Sequence, residues 1–264
     1  MPERIICRLV KDLREFYQQE SEHGKKKKSL PPRKIYGNLP DVMKFLALNT
    51  VLAVVPALLL ILLFYRKDSQ KPEPGRLIWK TFLLGFFSVL PALLLELLLN
   101  PLSGYYSGWG KLVIQAFVVA GMVEEGIKLL TVRLYVFPRP AFDEINDGIV
   151  YTITASMGFA CFENIMYSFG PASTILIRGF TAVPLHAFAS GIMGYYIGRA
   201  RFREGGYLLK GFLLAAAIHG LYDFFLFAGG AFSYLVFPLL VLAGRALFRL
   251  NRRALAEDRA AGRS

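Results

Sequence analysis

Cysteine, histidine and acidic residues are all scarce in this chain, and each scarcity excludes something. The two cysteines, Cys7 and Cys161, cannot build a disulfide framework or a cysteine-based zinc site. The first 24 residues lack the uninterrupted apolar core and small-residue cleavage site of a signal peptide, so targeting falls to internal apolar segments. No repeat with a period of 20 to 50 residues is present, which argues against a solenoid and against the paired halves of many transporters. Acidic residues number 19 against 31 basic ones, a net charge of +12. The lysines and arginines lie in the N-terminal stretch, in two connections and at the C-terminus, as on cytoplasmic flanks, and nucleic acid is not expected as a partner.

What is abundant is apolar. Hydrophobic residues make up 55% of the 264, in long runs broken by proline and glycine. Seven runs, over 42–65, 78–99, 112–136, 147–169, 173–198, 207–228 and 231–249, are each long enough as helices to cross about 30 Å of hydrocarbon. The expected fold is all-α, a polytopic membrane protein of about seven transmembrane helices in one bundle, and the expected localisation is a bacterial plasma membrane.

Three regions follow: a basic N-terminal tail over 1–40, the bundle over 41–250 and a basic C-terminal tail over 251–264. In the first, Ile5, Ile6, Leu9, Leu13, Phe16 and Tyr17 fall on one helical stripe, and Lys25 to Lys28 follow, a pattern suited to membrane lipids. Arg66, Lys67, Lys71, Arg76 and Lys80 mark one connection as cytoplasmic, and Arg199, Arg201, Arg203 and Lys210 another. Seven spans then send the basic N-terminal tail outward, against the same rule; a re-entrant first span, broken at Pro56, is one way out.

Charges inside these spans cost at least a few kcal/mol each and are retained for function. The third span holds Glu124, Glu125 and Lys128, the fourth Glu163 and Asn164, the fifth His186 behind Pro184, and the sixth His219 and Asp223. Centred in a bilayer, Glu124, Glu125, His186 and His219 fall near the midplane, with Glu163 and Asp223 roughly 6 to 9 Å toward the outer face at 1.5 Å per residue. One layer of four helices therefore shares one cavity. A partly dehydrated glutamate can take a proton from water while a histidine donates to a developing oxyanion, which is the chemistry of amide hydrolysis. His219 and Asp223, four apart, share a helical face, so the aspartate can fix the imidazole tautomer. Alternatively, two histidines and a carboxylate (Glu163, His186, His219) could hold a zinc ion. The same residue types also build proton relays, so a proton-coupled transporter or channel is the competing class.

Other polar residues have plainer readings. Glu96 is expected to snorkel at an interface, Asp147 to cap the fourth span, and Arg178 to meet a headgroup. Ser156, Ser190, Gly194 and Gly198 read as small residues for close helix packing, and Trp79, Trp109, Tyr195 and Tyr196 as an interfacial belt.

Four ordered motifs carry a resemblance. They are Glu124-Glu125-x-x-Lys128; Asn146-Asp147-Gly148 leading to Gly158-Phe159-Ala160-x-x-Glu163-Asn164; Pro184-x-His186-Ala187-Phe188; and His219-Gly220-Leu221-Tyr222-Asp223. Together, over residues 42 to 245, they resemble the PrsW family of intramembrane proteases and, more distantly, the CAAX-processing and bacteriocin-immunity proteases. The resemblance implies cleavage of a single-span membrane regulator, such as an anti-sigma factor, on its outward side. It matches Glu124 and Glu125 to an essential glutamate pair, Glu163 to a second acid and His186 and His219 to the family histidines. Asp223 stands where relatives have Asn or Asp. Metal and glutamate chemistry both remain open.

Overall fold

The computed structural model describes residues 39–67, 71–168, 171–203 and 205–263. The amphipathic stripe and lysine run expected near the N-terminus lie outside the described residues. Every element among the described residues is helical: α1 (Leu39–Lys67), α2 (Gly75–Phe87), α3 (Val89–Ser103), α4 (Gly108–Val113), a π-helical stretch (Ile114–Met122), α5 (Val123–Tyr135), α6 (Ile145–Tyr167), α7 (Ala172–Phe180), α8 (Ala182–Phe202), α9 (Tyr207–Ala228), a 3-10 turn (Gly230–Leu235) and α10 (Val236–Ala260). These join into seven helical rods, because α2 and α3 meet at Ser88, α4 to α5 run on through the π stretch, and α7 and α8 meet at Thr181.

Six of the rods are long and apolar enough to cross a membrane. The remaining rod, α4 to α5, consists of three shorter pieces and carries the Glu124, Glu125 and Lys128 cluster. Pro56 does not break the first rod, since α1 is continuous through it.

Residues Leu46–Ser264 form one compact unit. At its centre α6 lies against α8 on one face and α2 on another, and its residues are buried almost throughout. The close approach has a steric origin: a Cβ on Gly148 would collide with the backbone of Gly194 and Gly198. The small-residue reading of Gly194 and Gly198 thus holds, and it brings the helix carrying Glu163 against the helix carrying His186.

The N-terminus of α6 is held by carboxylates. Asp258 of α10 accepts from the Ile145 and Asn146 amides at 2.9 and 3.0 Å. The N-cap is Glu144 rather than Asp147. Asp147 sits three residues on and its Oδ2 accepts from the Glu144 and Asp143 amides at 2.7 and 2.8 Å, completing a capping box. Amides otherwise orphaned at a helix start are thereby satisfied, with negative charge at the positive end of the dipole.

Residues 251–260, expected within a tail, instead continue α10. Asn251, Ala254 and Asp258 form a buried stripe on that extension, and Asn251 donates to Asn146 at 2.6 Å. Tyr195, expected in an interfacial belt, is buried and donates to Glu257 at 3.1 Å, whereas Trp79 and Trp109 are exposed as expected.

Candidate active site

The glutamate pair opens α5, directly after the π stretch. Such wide turns recur at functional sites because they re-aim the side chains that follow. Here the π stretch comes backbone to backbone with α9: a Cβ on Gly121 would meet the Ala216 carbonyl at 2.8 Å and the Gly220 amide at 3.1 Å. His219, one residue before Gly220, is thereby set against the pair. His186 directly follows the first turn of α8, in which Pro184 is tolerated because that turn needs no backbone N–H from it.

Glu125 is completely buried and fully engaged. Its Oε1 lies 2.8 Å from Lys128 Nζ and 2.9 Å from His219 Nδ1, and its Oε2 accepts from the Ser190 hydroxyl at 2.7 Å. Ser156 stands behind Ser190 at 2.9 Å. Both serines, read from sequence as packing residues alone, are therefore also polar supports of the site. Their signal in sequence was weak, because a small hydroxyl costs little in a helix bundle.

Glu124 has a different environment. Its Oε2 lies 3.2 Å from Lys128 Nζ, 3.7 Å from His219 Nε2 and 3.9 Å from His186 Nδ1. The two imidazole rings stand 5.0 Å apart at 82°. One donor atom from each of Glu124, His186 and His219 falls within 4.8 Å of the others, the one such metal-capable group found among the described residues. The expected triad contained Glu163; the structure puts Glu124 in its place, because Glu163 bonds the far nitrogen of His186, Nε2, at 2.9 Å.

The tautomers follow from donor capacity. An ammonium only donates, so Lys128 Nζ, 2.9 Å from His186 Nδ1, requires a lone pair there, and the proton sits on Nε2 facing Glu163. His219 donates from Nδ1 to Glu125, which leaves its Nε2 lone pair facing Glu124 and Asp223. Asp223 Oδ2, at 3.6 Å from that Nε2, is too far to hydrogen-bond it. Glu125, not Asp223, orients the ring.

Two residues read as peripheral belong to the site's surroundings. Glu96 is buried on α3, a helix that packs against α5, which carries the glutamate pair. Arg178 is buried too, with Nη2 at 3.1 Å from Glu163 Oε2. Their places near span ends concealed both.

A compact layer of carboxylates and imidazoles, buried in a bundle with helices long enough to cross a membrane, forms a candidate intramembrane hydrolytic centre. The chain belongs to the PrsW family of intramembrane metalloproteases, whose family model matches residues 73–244. It is similar to Protease PrsW of Bacillus subtilis strain 168, at 33% identity over 193 residues covering 71% of this chain and 87% of that protein. It is also similar to Protease PrsW of Geobacillus kaustophilus, 35% identical over 185 residues (69% of this chain, 80% of the relative), and of Clostridioides difficile, 34% identical over 187 residues (67% and 78%). No solved structure matches. The protein is a peptidase and a multi-pass protein of the cell membrane.

Proposed function

We propose that this chain hydrolyses a peptide bond in a single-span, membrane-anchored regulatory protein such as an anti-sigma factor, on the outward side of the membrane, with Glu124, Glu125, Glu163, His186, His219 and Asp223 forming the site. The observation that carries this reading is the convergence of Glu124 Oε2, His186 Nδ1 and His219 Nε2 on one buried spot. Two imidazoles and a carboxylate form a donor set suited to catalytic zinc, and the lone pairs assigned above point inward. A divalent ion held by Glu124, His186 and His219 would supply Lewis-acid activation of water and of the scissile carbonyl.

The chain's own residues have separable tasks. Glu125 fixes the His219 ring through Nδ1, and Ser190 fixes Glu125. Lys128 offsets the charge of the pair. Among the described residues Asp223 meets no hydrogen-bond donor within bonding distance, which leaves it available to accept the proton of the attacking water. Burial excludes bulk water and strengthens each of these interactions.

The position of Lys128 supports a second reading. Its ammonium already neutralises the spot where an ion would sit, so Glu124 itself could serve as the base and Lys128 as the donor to the tetrahedral intermediate. The test is reconstitution of the purified protein with a panel of tagged single-span bacterial regulators, with and without chelator, beside a Glu124→Ala, Glu125→Ala double variant. Cleavage that the double variant loses supports the protease reading, and chelator sensitivity selects the metal. Equal cleavage by the double variant sinks both readings.

A further inference from the structure

A line of polar contacts runs from α1 to the His186 imidazole, and Arg178 is its least expected member. Arg178 lies on α7, a short helix whose Leu176, Ile177 and Phe180 are exposed. Its own side chain turns inward and is only 10% exposed. The guanidinium stacks 3.9 Å from the centre of the Tyr167 ring, donates from Nε to Asn164 Oδ1 at 2.8 Å, and brings Nη2 to 3.1 Å from Glu163 Oε2. Asn164 is anchored in turn by its Nδ2, which donates to the Ala53 carbonyl of α1 at 3.4 Å. A headgroup contact would need none of these three partners, and burying a guanidinium demands that they repay its lost hydration.

The geometry matters at Glu163. The oxygen that faces Arg178 is the same Oε2 that lies 2.9 Å from His186 Nε2. The imidazole N–H donates to that oxygen, and the guanidinium stands beside it as an ion-pair partner. The Glu163 side chain is 22% exposed, the most open of the acids around the imidazoles, and Arg178 is the cation paired with it. A carboxylate bonded to the remote nitrogen of a reactive histidine sets which nitrogen carries the lone pair.

We propose that Arg178 is a positioning residue: acting through Glu163, it reinforces the Nε2–H tautomer and the ring orientation of His186 that Lys128 favours from the other nitrogen, so that the Nδ1 lone pair stays on the side of Lys128 and Glu124. The catalytic consequence rests on the hydrolytic reading above; the tautomer itself does not. Lysine cannot replace the function fully, because a single ammonium does not span Asn164 and Glu163 as a planar fork does.

The test uses the full chain in nanodiscs with 15N-labelled histidine. The sequence holds three histidines, His23, His186 and His219, so each ring pair can be assigned by substitution. The wild type should show for His186 one protonated and one bare nitrogen, with the proton on Nε2. In Arg178→Gln the two shifts should converge toward tautomer averaging, and kcat should fall about 10- to 100-fold, the range for loss of outer-shell partners, with KM little changed. Arg178→Lys keeps a cation in the bundle and guards against loss of fold; it should give intermediate shifts and partial activity. An unchanged His186 ring signature in either folded variant would overturn the proposal, whatever happens to activity. Should the wild type cleave nothing, the protease reading fails, and the ring signatures still decide the role of Arg178.

Discussion

Lys128 Nζ lies 2.9 Å from His186 Nδ1, on the lone pair that a metal ion would use, and 3.2 Å from the Glu124 oxygen that such an ion would also need. The lysine and the ion are thus alternatives for one electrostatic task. In Lys128→Met the buried glutamate pair loses its counter-charge, and the expected cost is about 3–5 kcal/mol of stability. Unfolding in detergent checks this, and added zinc should recover part of the loss. No recovery would mean that the three donor groups do not take up the ion.

The two glutamates should fail differently. Glu125 makes three close polar contacts, two of them to ring or ammonium nitrogens on other side chains that are themselves buried. Glu125→Ala should therefore lower the unfolding midpoint as well as abolish cleavage. Glu124→Gln should abolish cleavage while the midpoint changes much less. Equal stability losses in the two variants would refute the division of labour.

Ser190→Ala removes the hydroxyl that donates to Glu125 at 2.7 Å. A hydrogen bond to a charged, buried acceptor is worth about 1.5–3 kcal/mol, so a stability loss of that order is expected, together with weaker cleavage. Thermal unfolding distinguishes this from the near-neutral outcome that a pure packing role would give.

Much of this site was readable because charge is so costly in hydrocarbon: Glu124, Glu125, Glu163, His186 and His219 stood out against apolar runs and do meet in one layer. Ser190 and Ser156 did not stand out, since hydroxyls pass as packing residues until their partners are seen. The π stretch from Ile114 to Met122 is uniformly apolar apart from Gln115, so no periodicity betrayed its wider turn. Arg178 and Glu96 were discounted by their distance from span centres, a measure that ignores the break between α7 and α8 at Thr181. The α10 extension looked like a tail because its exposed faces are rich in arginine, while the buried stripe of Asn251, Ala254 and Asp258 is too sparsely apolar to announce itself.

A pH-dependent stability is expected outside the membrane-spanning segments. Glu73, in the connection between α1 and α2, is buried beside Asp147 and accepts from the Tyr151 hydroxyl. Burial raises its pKa; its hydrogen bonds to Asp147 and Tyr151 oppose the rise, Asp143 adds to it, and Lys71 opposes it. A raised folded-state pKa contributes stability that is full below the unfolded value and is lost as pH rises through the folded one. Glu73→Gln should flatten that decline in a pH series of unfolding measurements; an undiminished slope would assign it elsewhere.

Asp258→Ala leaves the Ile145 and Asn146 amides without their acceptor. A loss of about 0.5–2 kcal/mol is expected from the cap alone. Hydrogen exchange should rise first at the start of α6, and exchange unchanged there would show that the contact is dispensable.

The gap across which Glu125 meets His219 is set by atoms that take no part in any reaction. Gly121 lets the π stretch touch the bare backbone of α9, and Gly220 leaves room on α9 for the Phe117 ring of the π stretch; a methyl on either would collide with the facing rod. Two hydrogen atoms therefore act as the calipers of the site: they hold an acid on one helix and an imidazole on another at bonding distance. A side chain at either silent position would disturb the acid and the imidazole without altering a single charge.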